Sequence, residues 1–204
     1  MIKIEVLKNE TFKTEQDLPK RGSEFSTGYD IVATSDPKIV GDYVFTENNK
    51  DWYGSISYIQ YDTSLHIAPE YYRWKMQMSN QDNPTKTEEF NSRRVDYYDT
   101  LIMPRSSISK YNLTLANSVG LIDNDYRNSI GFRFKYTIQP EDLKVFNDAM
   151  LSGLLCSVNF DKIYKKGDKI GQLKFTKVID AEFVLVDNLN STKRGLDGFG
   201  STGV

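Results

Sequence analysis

The sequence predicts an all-β protein, a sandwich or barrel carrying one short helix. Three observations lead there. Short apolar runs alternate with polar residues at a period of two, most sharply at Phe132, Phe134, Tyr136 and Ile138 against Arg133, Lys135 and Thr137. Turn formers punctuate these runs, among them Asp36-Pro37, Gly41-Asp42, Pro104 and Gly167-Asp168. Helical spacing is confined to one segment, following Gln139.

Taken in order, Ile2, Ile4 and Val6 form a short first strand. Residues 11–24 are polar, contain Pro19 and Gly22, and read as loop. Phe25 to Asp30 turns into a strand over 31–33. Residues 55–61, rich in Ile and Tyr, read as a strand. Tyr72, Trp74, Met76 and Met78 alternate with Arg73, Lys75 and Gln77, another strand, and 79–94 is polar loop. Residues 99–103 are a strand ending at Pro104. Pro140, Glu141 and Asp142 suit a helical first turn, and Leu143, Phe146 and Met150 follow at helical spacing, which predicts a helix over about 140–151. Strands are expected again over 169–178 and 182–186. No repeat or linker divides the chain.

The 204 residues suit one domain with a sizeable core. Charges nearly cancel, 26 basic against 28 acidic for a net of −2. That excludes a nucleic-acid polymer as the expected partner, while a small polyphosphate needs only a few arginines and backbone amides. The one cysteine, Cys156, excludes an internal disulfide and a cysteine-cluster metal site. It sits in an apolar run and reads as a small buried residue. The one histidine, His66, among Leu65, Ile67 and Ala68, reads as structural. No signal pattern and no long apolar run is present, so a soluble, cytoplasmic protein without a membrane partner is expected.

Two stretches carry the chemistry. Residues 119–130 read V-G-L-I-D-N-D-Y-R-N-S-I. Gly120, Asn124 and Asn128 tolerate tight turns and positive φ, so a β-hairpin with an acidic tip is expected. Apolar flanks would desolvate Asp123 and Asp125 and make either a better proton acceptor. Read alone, the stretch is more simply a solvated turn. Residues 193–204 hold four glycines, Phe199, Arg194, Ser201 and Thr202. Such a tail cannot offset its own ordering entropy, and read alone it is a disordered terminus. Its alternative is a lid whose amides, hydroxyls and arginine cradle phosphate oxygens while Phe199 stacks on a flat ring.

Five segments then match one family in order. They are Ser26-Thr27-Gly28-Tyr29-Asp30-Ile31, Pro104-Arg105-Ser106-Ser107-Ile108-Ser109, residues 117–130, Gly167-Asp168-Lys169-Ile170-Gly171-Gln172-Leu173, and residues 194–203. Together they resemble the motifs of the trimeric dUTPases, the dUTP diphosphatases. The resemblance implies a jelly-roll-like β fold, a homotrimer with sites at subunit interfaces, and Mg²⁺-dependent hydrolysis of dUTP to dUMP and pyrophosphate. It implies that Asp123 activates water. Tyr126 packs under the deoxyribose, and Asn117 with the backbone around Gly120 and Ile122 reads uracil. Arg105, Ser106, Ser107 and Gln172 bind phosphates, and Asp30 holds Mg²⁺ through water. Arg194, Phe199, Gly200, Ser201 and Thr202 belong to an arm, residues 194–204, that closes over the nucleotide bound to the 1–193 domain. Water attack on a phosphoanhydride needs such a base, such cations and such a lid.

The chain departs from the family at Asn128 and Asp197, where glycine is usual, and in extra length over about 36–100 and 139–160. Those insertions resemble bacteriophage members, whose setting would be the host cytoplasm, and offer a surface for a protein partner. Two rival functions remain open from sequence. A dCTP deaminase on the same fold would need a glutamate in a differently worded acidic stretch, and a dCTP assay with ammonia detection separates it. A nucleotide-gated protein-binding module would be separated by pull-down with and without dUTP.

Overall fold

The computed structural model describes residues 2–45, 52–69, 98–147, 152–179, 181–193 and 195. Twelve strands are described: β1 (Ile4–Val6), β2 (Tyr29–Val32), β3 (Lys38–Phe45), β4 (Trp52–Asp62), β5 (Ile67–Pro69), β6 (Tyr98–Pro104), β7 (Leu113–Leu115), β8 (Gly120–Ile122), β9 (Gly131–Tyr136), β10 (Leu143–Asn147), β11 (Ser152–Cys156) and β12 (Lys169–Lys177). They form two four-stranded antiparallel sheets, ordered β2-β12-β6-β8 and β3-β4-β9-β7, with β1-β5 and β10-β11 as separate pairs. The all-β expectation holds.

Alternation sets which side chains meet between the sheets. On β9, Phe132 and Phe134 are fully buried and Arg133 and Lys135 are exposed. They pack with Ile59 and Tyr61 of β4, Ile102 of β6, and Ile170 and Leu173 of β12. Tyr61 donates from its hydroxyl to the Tyr164 carbonyl at 2.8 Å, so its one polar atom is satisfied inside the core. Where β12 crosses this core, residue 171 is glycine, because a Cβ there would lie 2.2 Å from a Phe132 ring carbon. Cys156 is buried as expected, and burial pushes its thiol upward. His66 is structural too, its Nδ1 lying 3.0 Å from the Arg127 carbonyl oxygen.

Three expectations are corrected. The helix over 140–151 is a single 3-10 turn, Pro140–Asp142, followed by the β10-β11 hairpin. Pro140 and its acids do start a turn, but Asp142 is spent inside the fold. Its Oδ2 accepts from the Gln139 amide at 2.8 Å and from the Tyr136 hydroxyl at 2.8 Å, which fixes the turn and sends the chain on extended. Residues 119–130 are not a hairpin. β8 pairs with β6, while β9 pairs with β4 and β7, so the acidic turn crosses from one sheet to the other. Residues 182–186 are not a strand, and Phe183 and Leu185 are almost wholly exposed. The strand expected over 72–78 and the loop over 79–94 lie outside the described residues.

Candidate functional site

The ends of β2, β6 and β12 converge on Asp30. On β12, Gln172 stands opposite Asp30 of β2 and, on its other side, opposite Met103 of β6. β6 ends at Pro104, and Arg105 follows at the mouth of a 3-10 turn, Ser106–Lys110, anchored by the Ile108 amide on the Arg105 carbonyl at 3.0 Å. Arg105 Nε then lies 3.0 Å from Asp30 Oδ1, and Lys169 Nζ lies 2.8 Å from Asp30 Oδ2. The Gln172 side chain lies over Gly28, where a Cβ would come within 2.1 Å of its Oε1. The structure thus joins three of the expected residues, Asp30, Arg105 and Gln172, from three distant segments. Ser106 is exposed and Ser107 half-buried in the adjoining turn.

A second group lies at the far edge of the same sheet. Gly120 of β8 is buried opposite Ile102, and a Cβ there would meet Ile102 at 2.3 Å and the Asn117 amide nitrogen at 3.0 Å. Its need for glycine is space. Gly120, Asn124 and Asn128 all keep negative φ, and the left-handed residue is Ser118, at φ 60. A cavity of about 670 Å³ opens here, lined at one end by Ile102, Ala116, Asn117, Tyr126, Asn128 and Ser129. Its other end reaches Tyr58, Gln60, Arg133 and Lys135 on the outer face of the second sheet. Arg133 stacks over the Tyr58 ring at 4.7 Å and donates to Gln60 at 3.0 Å.

The acidic turn is pinned to the end of β4. Tyr126 donates to the Ser129 carbonyl at 3.1 Å, and the Ser129 hydroxyl donates to Asp62. Ile130 donates to the Leu65 carbonyl at 2.9 Å, and Thr63 Oγ1 donates to the Ile130 carbonyl. Burial alone would raise the Asp62 carboxyl. Hydrogen bonds from Ser129 and from the Ser64 and Thr63 amides outweigh it and hold the group below the usual carboxylate range. The expected desolvation of the two acidic residues is not found, since Asp123 and Asp125 are both exposed on this chain. The flanking Leu121 is exposed too, which leaves them in water.

Sequence reasoning missed the supports. Asp62, Ser129 and Thr63 carry no spacing signal, because they meet only when β4 and the turn are folded together. Lys169 was legible within Gly167-Asp168-Lys169, but nothing in the sequence aims it at Asp30. Arg194, Phe199, Gly200, Ser201 and Thr202, and the departure at Asp197, lie outside the described residues.

The two groups are separated by the sheet. Asp30 and Gly120 stand on its outer strands, three spacings or about 14 Å apart. One group offers two cations and a carboxamide to an anion. The other offers a cavity lined by an amide, Asn117, and a phenol, Tyr126.

The implied magnesium does not fit a site built by this chain alone. Both Asp30 oxygens are engaged by cations. No group of three or more His, Cys, Asp or Glu occurs among the described residues. No helix among them is long and apolar enough to cross a membrane.

Comparison with known proteins follows the same lines. No family model matches the chain. A stretch of 104 residues is 38% identical to the deoxyuridine 5'-triphosphate nucleotidohydrolase of Desulfitobacterium hafniense strain DCB-2, covering 50% of this chain and 56% of that protein. The chain is also 33% identical over 105 residues to the protein of that name from gamma-proteobacterium EBAC31A08, covering 51% of this chain and 61% of that protein. The chain therefore spans little more than half the length of the curated relatives it matches. Its fold resembles that of the Staphylococcus bacteriophage 80alpha dUTPase bound to dUpNHpp, with a TM-score of 0.56 and 18% identity over 100% of this chain and 99% of that one. The resemblance to dUTPases read from the five motifs is borne out: in sequence over half the chain and in fold over all of it.

Proposed function

We propose that this chain is a dUTP diphosphatase, hydrolysing dUTP to dUMP and pyrophosphate. The observation that carries the reading is the convergence of Asp30, Arg105 and Gln172 from three distant segments onto neighbouring strands. It is supported by the likeness to named deoxyuridine 5'-triphosphate nucleotidohydrolases. Asn117 and the backbone at Gly120 and Ile122 read the uracil edge, and Tyr126 lies under the deoxyribose. Arg105, Ser106, Ser107 and Gln172 take the phosphates. Water adds to phosphorus as the anhydride bond to pyrophosphate breaks, and Asp123 accepts the water proton. The arm carrying Arg194, Phe199, Gly200, Ser201 and Thr202 closes over the nucleotide and excludes bulk water. A magnesium ion, if bound, would be held by the triphosphate and would offset phosphate charge, because both Asp30 oxygens are already paired on this chain. In the cytoplasm, of a host if the source is viral, the reaction limits uracil in DNA and supplies dUMP.

A homotrimer suits the geometry. Base cavity and phosphate residues stand about 14 Å apart on one chain, and Asp123 does not line that chain's cavity, so groups from neighbouring copies complete each site. Phe183, Leu185 and Leu189 are exposed in a segment outside any strand, apolar surface that a second copy would cover.

A second role is favoured by the inserted β10-β11 hairpin, which exposes Val145 and Leu143. The similar 80alpha protein is described as controlling transfer of virulence genes by a G protein-like mechanism. A nucleotide-gated contact with a protein partner would use this surface.

The test is pyrophosphate release from dUTP, dCTP, dTTP and UTP. Release from dUTP well above the other three is expected. Ammonia from dCTP would instead mark a deaminase, and no release from dUTP would overturn the reading.

A further inference from the structure

Tyr164 follows a 3-10 turn, Phe160–Lys162, and precedes the turn that opens β12. It is 1% exposed. Its ring packs against Tyr111 at 4.3 Å between centroids, Phe134 at 5.6 Å and Tyr61 at 6.2 Å. A phenylalanine would make the same ring contacts. The hydroxyl is what a tyrosine adds, and here it is buried with no hydrogen-bond partner among the described residues. Other tyrosines of the chain use theirs: Tyr61 on the Tyr164 carbonyl, Tyr126 on the Ser129 carbonyl, Tyr136 on Asp142. A buried hydroxyl is costly to leave unpaired, which points to a partner that moves into place later.

Ser107 of the expected phosphate turn is that partner. The turn is tied to the Tyr164 segment twice. Tyr111 closes it by donating to the Ile108 carbonyl at 2.9 Å and lies on the Tyr164 ring, and the next amide, Asn112, donates to the Lys162 carbonyl at 2.8 Å. Burial pushes the Tyr164 phenol up, and the Ser107 side chain is the largest influence opposing it, with Arg105 acting in the same direction. The buried hydroxyl therefore faces the two residues expected to hold phosphate.

We propose that Tyr164 positions Ser107: when an anion settles on the turn, the Tyr164 hydroxyl donates to Ser107 Oγ, and the Ser107 hydrogen turns to a phosphate oxygen. A serine hydroxyl has one hydrogen and accepts as well as donates, so the two hydroxyls form a chain that ends on the anion. Each bond in such a chain polarises and strengthens the next. Tyr164 touches no ligand and acts only through Ser107. The inference rests on the diphosphatase reading for the natural ligand, while the pairing itself requires only a polyphosphate.

The test compares the full chain with Tyr164→Phe, Ser107→Ala and the double variant, by calorimetric titration with inorganic tripolyphosphate and by thermal melting. Tyr164→Phe should weaken tripolyphosphate about threefold to tenfold, the loss of one hydrogen bond between neutral groups. The double variant should bind as Ser107→Ala does and no more weakly, because the tyrosine has no other route to the anion. Tyr164→Phe should melt no lower than the unaltered chain, since its hydroxyl is unpaired without ligand. It should raise KM for dUTP while kcat stays within about twofold. Unchanged tripolyphosphate affinity in Tyr164→Phe overturns the proposal. So do losses that multiply in the double variant, a lowered melting temperature in Tyr164→Phe, or an unaltered chain that ignores tripolyphosphate. An unaltered chain that releases no pyrophosphate from dUTP overturns the diphosphatase reading, and the tripolyphosphate titrations still decide the pairing.

Discussion

Gln172 and Asp30 are direct cross-strand partners, and the room for the Gln172 side chain exists because residue 28 has none. A Cβ at position 28 would also lie 2.8 Å from the Gln172 Cβ, which no rotamer change relieves. Gly28→Ala must therefore separate β2 from β12. We expect a loss of about 1–3 kcal/mol in urea unfolding, the usual cost of overpacking, together with a fall in dUTP turnover. Unchanged unfolding would show that the strands yield freely.

Asp123→Asn keeps the shape of the turn and removes the proposed proton acceptor. Turnover should fall by about 10²–10⁴-fold, the range of a general base, while a non-hydrolysable dUTP analogue binds as before. Near-normal pyrophosphate release would remove Asp123 from the mechanism.

Tyr126 lines the cavity beside Gly120, and its hydroxyl is already committed to the Ser129 carbonyl. Tyr126→Ala should let UTP compete better, lowering the kcat/KM preference for dUTP. Tyr126→Phe should keep most of that preference, because the proposed block to a 2′-hydroxyl is the ring. Equal discrimination in all three proteins would contradict the packing role.

Asp62 gives a pH signature. Its carboxyl is depressed in the folded chain, so its charge adds stability above the unfolded value, about 3.9, and loses it as pH falls through the lower folded value. The stability difference between the unaltered chain and Asp62→Asn should be constant above about pH 5 and shrink below about pH 4. A difference that grows on acidification would reverse the assignment.

Sedimentation should find trimers. Phe183→Asp or Leu185→Asp should shift the population toward smaller species and lower activity in parallel, because the proposed sites draw on more than one chain. A fully active monomer would refute the shared-site architecture.

Much of this was legible before any coordinates. Alternation marked β9, and short apolar or turn-bounded runs marked β4, β6 and β12, because each has a face on the core. Asp30, Arg105 and Gln172 were legible as a set through the motif resemblance. The failures have one cause. Local pattern does not say which strand a segment will pair with. Residues 119–130 look like a hairpin until β8 is found on β6, and residues 140–151 look helical until Asp142 is found bonded to Tyr136. Single supports such as Asp62 and Ser129 leave no periodic trace at all.

The Asp142 contact has a wider consequence. Tyr136 at the end of β9 donates to Asp142 at 2.8 Å and accepts from the Asn159 amide at 3.0 Å, and the Ser157 amide donates to the Asp142 carbonyl at 2.7 Å. Residues just before and just after the β10-β11 hairpin are thus clasped to each other and to the same tyrosine. The clasp, with β11 packed against β4, fixes the root of the hairpin on the sandwich. Such a joint is a socket: the register of β9 is held at the hairpin's root by Tyr136, so changes of length or wording between the strand ends leave that root in place.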